Sequence, residues 1–176
     1  LSSTYITDIE EDDYGNIWIG TDHGLDFLNT DTDTIIKMRD IQNNGELGEL
    51  NITSLLKSSY EEGIMWVGTE NGLHKIDINK NTIEAFYYEQ DNPNSLTNSA
   101  ITCIEEGDNN LLWVGTKSGI NVIDENSKVS NAKRERLYIK HISKDNSGNM
   151  WASTKEGVFI INVREDKKDY IYMLNS

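Results

Sequence analysis

The fold is decided by the stretch Ile6-Thr7-Asp8-Ile9-Glu10-Glu11-Asp12-Asp13-Tyr14-Gly15-Asn16-Ile17-Trp18-Ile19-Gly20-Thr21-Asp22-His23-Gly24-Leu25. Its tryptophan segment returns three times, as Trp66-Val67-Gly68-Thr69, as Trp113-Val114-Gly115-Thr116 and, in weaker form, as Trp151-Ala152-Ser153-Thr154. The four tryptophans are 48, 47 and 38 residues apart. A self-similar period of this length predicts a repeat architecture with loops of unequal length.

Each copy contains the signals for four short strands. An Ile-Thr-x-Ile piece forms the first strand, and a turn rich in Asp, Asn and Gly leads to the tryptophan strand. A Thr-x-x-Gly turn follows, in which the glycine can take positive φ, and two further strands complete the copy. Four-stranded repeats of about 40–45 residues are typical of β-propeller blades. We therefore predict an all-β fold of four four-stranded blades, at approximately 1–46, 47–95, 96–133 and 134–176.

Apolar residues at consecutive positions support blades rather than a helical solenoid, which needs apolar spacing of three and four residues. Leu111-Leu112-Trp113-Val114 is one such run, and it indicates a strand covered on both faces. The glycine within each of the first three tryptophan segments then marks a close approach of neighbouring blades. We assign a structural role in the repeat core to Trp18, Gly20, Trp66, Gly68, Trp113, Gly115 and Trp151.

The pattern from Ile6 to Leu25 resembles the two-component regulator propeller repeat, and the resemblance extends over essentially the whole chain. The fourth copy departs from it, because Ala152-Ser153 replaces the aliphatic-glycine pair. The resemblance implies a segment of a larger propeller of about seven blades. It further implies an extracytoplasmic sensor region of a membrane-bound bacterial histidine kinase, for which the signal can be a glycan fragment.

Composition restricts the partners. The formal net charge is −14, and so acidic a surface repels the phosphates of nucleic acid and of anionic membranes. No apolar run approaches the length of a membrane span, and we expect any anchor to lie outside this segment of a longer protein. Cys103 is the single cysteine and lacks flanking cations, so we expect an inert thiol.

The loops that join the strands carry the candidate ligand-binding residues, because loops on a rigid scaffold are where specificity varies. One end of the blades is predicted to present the Thr-x-x-Gly turns together with the long loops Gln42–Asn51 and Gln90–Ser99. The turn residues assigned to this site are Asp22, His23, Glu70, Asn71, Lys117, Ser118, Lys155 and Glu156.

Other constellations have weaker support. The tryptophans could stack on sugars, but a fixed place in apolar strands favours core packing. His23, His74 and His141 occupy three different repeat positions, so a shared histidine site is not expected. Asp8, Ser54, Cys103 and His141 share one first-strand position. If that strand lines the propeller axis they could offer metal ligands, but solvent exposure is the preferred interpretation.

The sequence therefore predicts recognition without catalysis, with no cofactor and no metal. A propeller enzyme acting on polysaccharide, a lyase or a glycosidase, is the first alternative, and a protein-docking scaffold is the second. Repeat proteins need covered terminal faces, and no cap is evident in the sequence. We therefore expect the segment to form a homodimer in which the first blade of one chain stacks on the last blade of the other.

Overall fold

The computed structural model describes residues 1–40, 47–133, 137–164 and 167–174. These residues form four antiparallel sheets of four strands each, and every sheet consists of strands that are consecutive in the sequence. The all-β, four-blade prediction is confirmed. The boundary residues 46 and 134, and residues 42–46 of the predicted loop Gln42–Asn51, lie outside the described residues.

The first two blades make up most of one compact unit, Leu1–Tyr87 with Ser99–Ile101. Blade 1 consists of β1 (Ile6–Glu11), β2 (Ile17–Thr21), β3 (Gly24–Asn29) and β4 (Thr34–Lys37), followed by a short 3-10 helix at Met38–Asp40. Blade 2 consists of β5 (Ile52–Lys57), β6 (Ile64–Thr69), β7 (Gly72–Asp77) and β8 (Thr82–Phe86).

The other two blades, apart from Ile101 at the start of blade 3, belong to the second unit, Tyr88–Asn98 with Thr102–Ser176. Blade 3 consists of β9 (Ile101–Glu106), β10 (Leu112–Thr116), β11 (Gly119–Ile123) and β12 (Val129–Lys133). Blade 4 consists of β13 (Ile139–Lys144), β14 (Met150–Thr154), β15 (Val158–Arg164) and β16 (Lys167–Leu174).

Each unit has its own apolar core between its two blades. In the first, Trp18 and Leu25 of blade 1 share a buried cluster with Leu55 and Met65 of blade 2. The second unit repeats this arrangement with its own aromatic and aliphatic residues. Burial of such side chains is worth about 1.5–3 kcal/mol each, so the blade interfaces supply much of the stability.

The glycine of the tryptophan strand lets successive blades approach each other. A Cβ atom added at Gly20 would lie 2.7 Å from Cγ2 of Ile52, and one at Gly115 would lie 2.8 Å from Cγ2 of Ile139. Gly68 meets Ile101 in the same way, at 2.8 Å, and both residues belong to the first unit. Any larger residue at Gly20 or Gly115 would push against the first isoleucine of the following blade.

Candidate functional site

The four Thr-x-x-Gly turns have one construction. The threonine hydroxyl donates to the carbonyl oxygen of the turn glycine at 2.7–3.0 Å and accepts from the backbone N–H two residues further on at 3.0–3.1 Å. The threonines are Thr21, Thr69, Thr116 and Thr154. The turn glycines have positive φ, from 119° to 148°, which explains why glycine recurs there. The turn therefore has a constant backbone and two variable residues.

The variable residues of the first unit are Asp22–His23 and Glu70–Asn71. His23 Nδ1 lies 2.8 Å from Asp22 Oδ1. The hydrogen bonds from His23 and, to a smaller extent, from Ser3 hold the pKa of Asp22 below its usual value. These two turns present charged and amide groups, but neither lines a described cleft.

The second unit contains a cleft of about 630 Å³ beside its first turn. This volume lies within the usual range for small-molecule sites, about 300–1,000 Å³. The lining comes from the loop after β8 together with two residues of blade 3. The lining residues are Tyr88, Glu89, Asp91, Asn92, Pro93, Ser95, Leu96, Thr97, Ser118 and Asn131. Among the predicted site residues the structure thus brings together Ser118 and the loop Gln90–Ser99.

Lys117, Lys155 and Glu156 are exposed in the same unit but are not part of the cleft lining. Lys155 Nζ instead lies over the ring of Tyr138, 4.6 Å from its centroid. This cation–π contact favours the position of the ammonium group over the ring.

Ser95 folds the loop on itself. Its hydroxyl accepts from the backbone N–H of Glu89 at 3.0 Å and donates to the carbonyl oxygen of Asn92 at 2.9 Å. Asn92 Nδ2 donates to Glu89 Oε2 at 2.7 Å. Local side-chain bonds of this kind hold a loop in one conformation without regular secondary structure.

Asn121 fixes the end of the same loop and is a residue that the sequence analysis missed. It is fully buried, and its Oδ1 accepts from the backbone N–H of Thr97 at 3.0 Å and from the Thr97 hydroxyl at 2.8 Å. Its Nδ2 donates to Asn131 Oδ1, and Asn131 Nδ2 donates to Pro93 O at 3.1 Å. A chain of amides therefore runs from the core to the cleft wall.

The repeat offered a signal for this residue. Asn121 lies two residues after the turn glycine, the position held by Asp26 in blade 1, which is also fully buried. Asp26 Oδ1 accepts from the Ser2 hydroxyl at 2.6 Å, and Ser2 corresponds to Thr97 because each lies four residues before the first isoleucine of its blade. A polar residue at this position holds the segment that leads into the first strand.

The shared first-strand position has no single environment. Asp8 is half-buried, and its carboxylate accepts from the backbone N–H of Leu55 at 2.7 Å. Cys103 is buried, and burial raises the pKa of its thiol to about 11, whereas His141 is exposed. Solvent exposure, the preferred interpretation, therefore holds for His141 and not for Cys103. Within the described part of the chain, no three His, Cys, Asp or Glu side chains are grouped so as to hold a metal ion.

The histidines and tryptophans have distinct surroundings. His74 is buried and packs edge-to-face on Tyr87, with ring centroids 6.1 Å apart, while His23 is exposed. Trp18, Trp66 and Trp113 are 4–6% exposed, and Trp151 is half-buried. None of the four tryptophans lines the 630 Å³ cleft.

The sheets define the class of protein: this chain is a four-blade segment of β-propeller type, and solved propellers match it over its whole length. It resembles the extracellular domain of BT3049 of B. thetaiotaomicron, described as a hybrid two-component system, with 18% identity and a TM-score of 0.68. It also resembles the extracellular domain of BT4673 from B. thetaiotaomicron, described as a one-component system, with 19% identity and a TM-score of 0.70. Both matches cover 100% of this chain.

The family model of the two-component regulator propeller matches residues 1–23 and 95–118, which lie in the first and third copies of the repeat. Two of the four copies are therefore similar to two-component regulator propeller repeats. No curated protein sequence matches it. Among the described residues, no helix has both the length and the apolar character needed to cross a bilayer.

An enzyme also has this fold. A catalytically inactive virginiamycin B lyase from Staphylococcus aureus, solved with quinupristin, matches 99% of the chain with 21% identity and a TM-score of 0.69. The chain spans 31%, 25% and 58% of the lengths of these three structures. At such identities the likeness establishes the fold, and function must be argued from the site.

Proposed function

We propose that this chain is a ligand-binding propeller segment of the extracytoplasmic sensor region of a two-component sensor histidine kinase, and that it recognises its signal without transforming it. The family repeat and the two extracellular sensor structures support the setting. The observation that carries the binding role is the cleft between the loop after β8 and blade 3.

The chemistry of the cleft suits a polar ligand with many hydroxyl groups. The hydroxyl group of Ser118 and the amide group of Asn131 line it, and they can both donate and accept. The Tyr88 side chain, 52% exposed, offers an aromatic face with a polar tip. We therefore propose a glycan fragment as the ligand class.

The signal would be transmitted as a shift between conformations. A ligand changes such an equilibrium only by its difference in affinity for the two states. The loop Glu89–Thr97 is suited to this role, because its bonds run to Asn131 and, through Thr97, to the buried Asn121. A ligand that contacts the loop and Ser118 together would favour the arrangement in which Asn98 Nδ2 donates to Ser118 Oγ, now at 3.0 Å.

A thermal-shift screen with oligosaccharide fragments of plant and host polysaccharides tests the proposal. At least one fragment should raise the melting temperature of the chain, and Tyr88→Ala should weaken that fragment's binding by roughly tenfold or more, the equivalent of about 1.4 kcal/mol. Tyr60→Ala is the matched control, since Tyr60 is similarly exposed but lies in the first unit. A hit that is insensitive to Tyr88→Ala, or no hit at all, contradicts the proposal.

A glycosidase is the alternative with an observation in its favour, because Glu89 and Asp91 place two carboxylates in the cleft lining. Paired carboxylates are the usual acid and base of glycoside hydrolysis. We expect the purified chain to leave oligosaccharides intact. Reproducible cleavage that Glu89→Gln or Asp91→Asn abolishes, with ligand binding retained, would establish the enzyme instead.

A further inference from the structure

The hydrogen bonds behind the cleft wall of blade 3 run in a fixed direction. The backbone N–H of Thr97 can only donate, so the atom of Asn121 that faces it at 3.0 Å is the oxygen Oδ1. The carbonyl oxygen of Pro93 can only accept, so the atom of Asn131 that faces it at 3.1 Å is the nitrogen Nδ2. Between these two ends, Asn121 Nδ2 donates to Asn131 Oδ1. The Asn131 carboxamide therefore has a single orientation that satisfies both of its neighbours.

Blade 1 shows what the asparagine at position 121 adds. Asp26 holds the equivalent position and accepts both donors of Ser2, the backbone N–H at 2.5 Å and the hydroxyl at 2.6 Å. An ionised carboxylate can only accept, so Asp26 cannot donate to a further residue. Asn121 accepts the two corresponding donors of Thr97 on its oxygen alone. Its nitrogen is thereby left to orient Asn131.

The blade 3 side of the cleft offers hydrogen-bond donors to a ligand. Asn131 Nδ2 carries a second hydrogen besides the one that it donates to Pro93. Ser118 Oγ accepts from Asn98 Nδ2 at 3.0 Å, so its own hydroxyl hydrogen remains to be donated. Within the described part of the chain, neither of these hydrogens takes part in a hydrogen bond. Because Ser118 and Asn131 both line the cleft, two donors are available on this side.

The loop side of the cleft offers acceptors. The side chains of Glu89 and Asp91 belong to the lining, and Glu89 accepts from Asn92 with Oε2, which leaves Oε1 for a ligand. The described residues that line the cleft include no Lys, Arg or His. Two carboxylates without a cation beside them repel an acidic sugar. The cleft is therefore suited to an uncharged group that accepts on the blade 3 side and donates on the loop side.

We propose that the ligand is a sugar that carries an acetamido group, and that Asn121 is the positioning residue that makes the cleft selective for it. This proposal rests on the glycan-binding function proposed above. An acetamido group is a planar trans amide whose C=O and N–H point in opposite directions. Its oxygen can accept from Ser118 and Asn131 while its N–H donates to a loop carboxylate. A hydroxyl group has its donor and its acceptor on one oxygen and cannot bond to both sides in this way.

Saturation-transfer NMR with matched monosaccharides tests the ligand class. The pairs are N-acetylglucosamine with glucose, N-acetylgalactosamine with galactose and N-acetylmannosamine with mannose, which differ only in an acetamido group against a hydroxyl group. At least one acetamido sugar should bind roughly tenfold more tightly than its partner, because the partner leaves hydrogen bonds unmade. The acetamido methyl group should receive strong saturation. Equal binding within every pair, or no binding by any acetamido sugar, overturns the proposal.

Two controls separate this proposal from the general function and from a peptide ligand. A fragment of the oligosaccharide screen that has only hydroxyl groups and still requires Tyr88 would leave the glycan-binding function in place and overturn the acetamido preference. N-acetylglycinamide carries the same amide without a sugar ring. It should bind more weakly than the acetamido sugar, because it has no ring to cover the aromatic face of Tyr88. Equally tight binding would show that the cleft recognises peptide amides and would overturn the sugar.

Asn121→Asp tests the positioning role. The carboxylate can keep both bonds from Thr97, as Asp26 does with Ser2, but it cannot donate to Asn131. The Asn131 carboxamide should then turn its nitrogen toward the carboxylate and its oxygen toward the cleft. Binding of the acetamido sugar should weaken by roughly tenfold, while binding of its hydroxyl partner changes little. An equal loss for both sugars would mean a merely structural role and would overturn the assignment.

Two further variants keep the test decisive if a carboxylate at the buried position 121 prevents folding, which circular dichroism checks. Asn131→Asp alters a half-buried residue, keeps an acceptor for Asn121 and removes the donor, so it should show the same selective loss. Asp26→Asn makes the reverse change in blade 1 and should leave sugar binding unchanged. Full preference for the acetamido sugar in Asn131→Asp, or loss of that preference in Asp26→Asn, overturns the proposal.

Discussion

Trp18 and Trp113 occupy the same repeat position and are equally buried, at 4% exposed, yet they are held differently. The Trp18 indole Nε1 donates to Asp12 Oδ2 at 3.0 Å. Blade 3 has Gly107 at the position of Asp12, and among the described residues the Trp113 indole N–H has no hydrogen-bond partner. The same apolar burial is therefore combined with a satisfied donor in blade 1 and an unsatisfied one in blade 3.

The comparison shows what Asp adds to the turn before the tryptophan strand. Asp12 Oδ1 accepts from the backbone N–H groups of Tyr14 and Asn16, each at 2.9 Å, while its other oxygen holds the indole. Asp145 repeats this with Trp151 at 2.8 Å. The aspartate thus joins turn and core. At Gly107 an added Cβ would collide with the Trp113 indole. In blade 3 the Trp113 ring therefore occupies the space that an aspartate side chain at this position would need.

The largest expected effect is the loss of the blade 3 ring. Trp113→Ala should lower the free energy of unfolding by about 3–5 kcal/mol, the usual cost of removing a core aromatic. Trp151→Ala should cost less, because Trp151 is only half-buried. Urea denaturation of the two variants checks the ranking. A Trp113→Ala protein that melts like wild type but loses a ligand would mean that the ring serves recognition.

A smaller expected effect on stability comes from the indole N–H alone, and two Trp→Phe variants separate it from the effect of the ring. Trp18→Phe deprives the buried Asp12 carboxylate of a donor, whereas Trp113→Phe removes an unsatisfied donor. Asn16 Nδ2 still donates to Asp12 Oδ2 at 3.2 Å, so the variant loses one hydrogen bond to a charged group, which is worth about 1.5–3 kcal/mol. Trp18→Phe should therefore be the more destabilising by up to about that amount. Thermal melts of both variants measure it. Equal losses would show that the Asp12 bond contributes nothing beyond the ring itself.

The smallest effect concerns pH. The hydrogen bonds from Trp151 and then from Asn149 lower the pKa of Asp145 from 3.8 to about 2. A pKa depressed by folding contributes stability above 3.8 that is lost as the pH falls toward about 2. Melting temperatures of Asp145→Asn should therefore fall less steeply over this range than those of wild type. Parallel curves would contradict the assigned role of the carboxylate.

The repeat made most of the fold predictable, because each blade can be recognised in the sequence by Trp, Thr and Gly at fixed spacing. The tryptophan strand and the Thr-x-x-Gly turn follow from local chemistry, and β2, β6, β10 and β14 lie at the four tryptophan segments, although β14 has Ser153 in place of the glycine. The Asp12–Trp18 bond was not predicted, since the turn residues were interpreted only as a source of turn dihedrals. A side chain's second contact depends on the packed structure, which spacing does not reveal.

The cleft was predictable only in part. Ser118 and the loop Gln90–Ser99 were expected on one face, and the structure places them around one cleft. The turns of Asp22 and Glu70 were assigned to the same face by analogy, and the cleft lining does not include them. The anchoring role of Asn121 depends on a long-range hydrogen bond from Thr97. The presence of a polar residue inside a strand does not predict which distant residue will be its hydrogen-bond partner.

Hydrogen exchange of the chain with a fragment from the oligosaccharide screen tests the central claim, that this propeller segment recognises its ligand through the cleft of the second unit. Bound ligand should slow amide exchange in peptides covering residues 88–98 and the turn at Ser118, and Tyr88→Ala should remove that protection. Protection confined to the turns at Asp22–His23 and Glu70–Asn71, with the loop unaffected, would contradict the account.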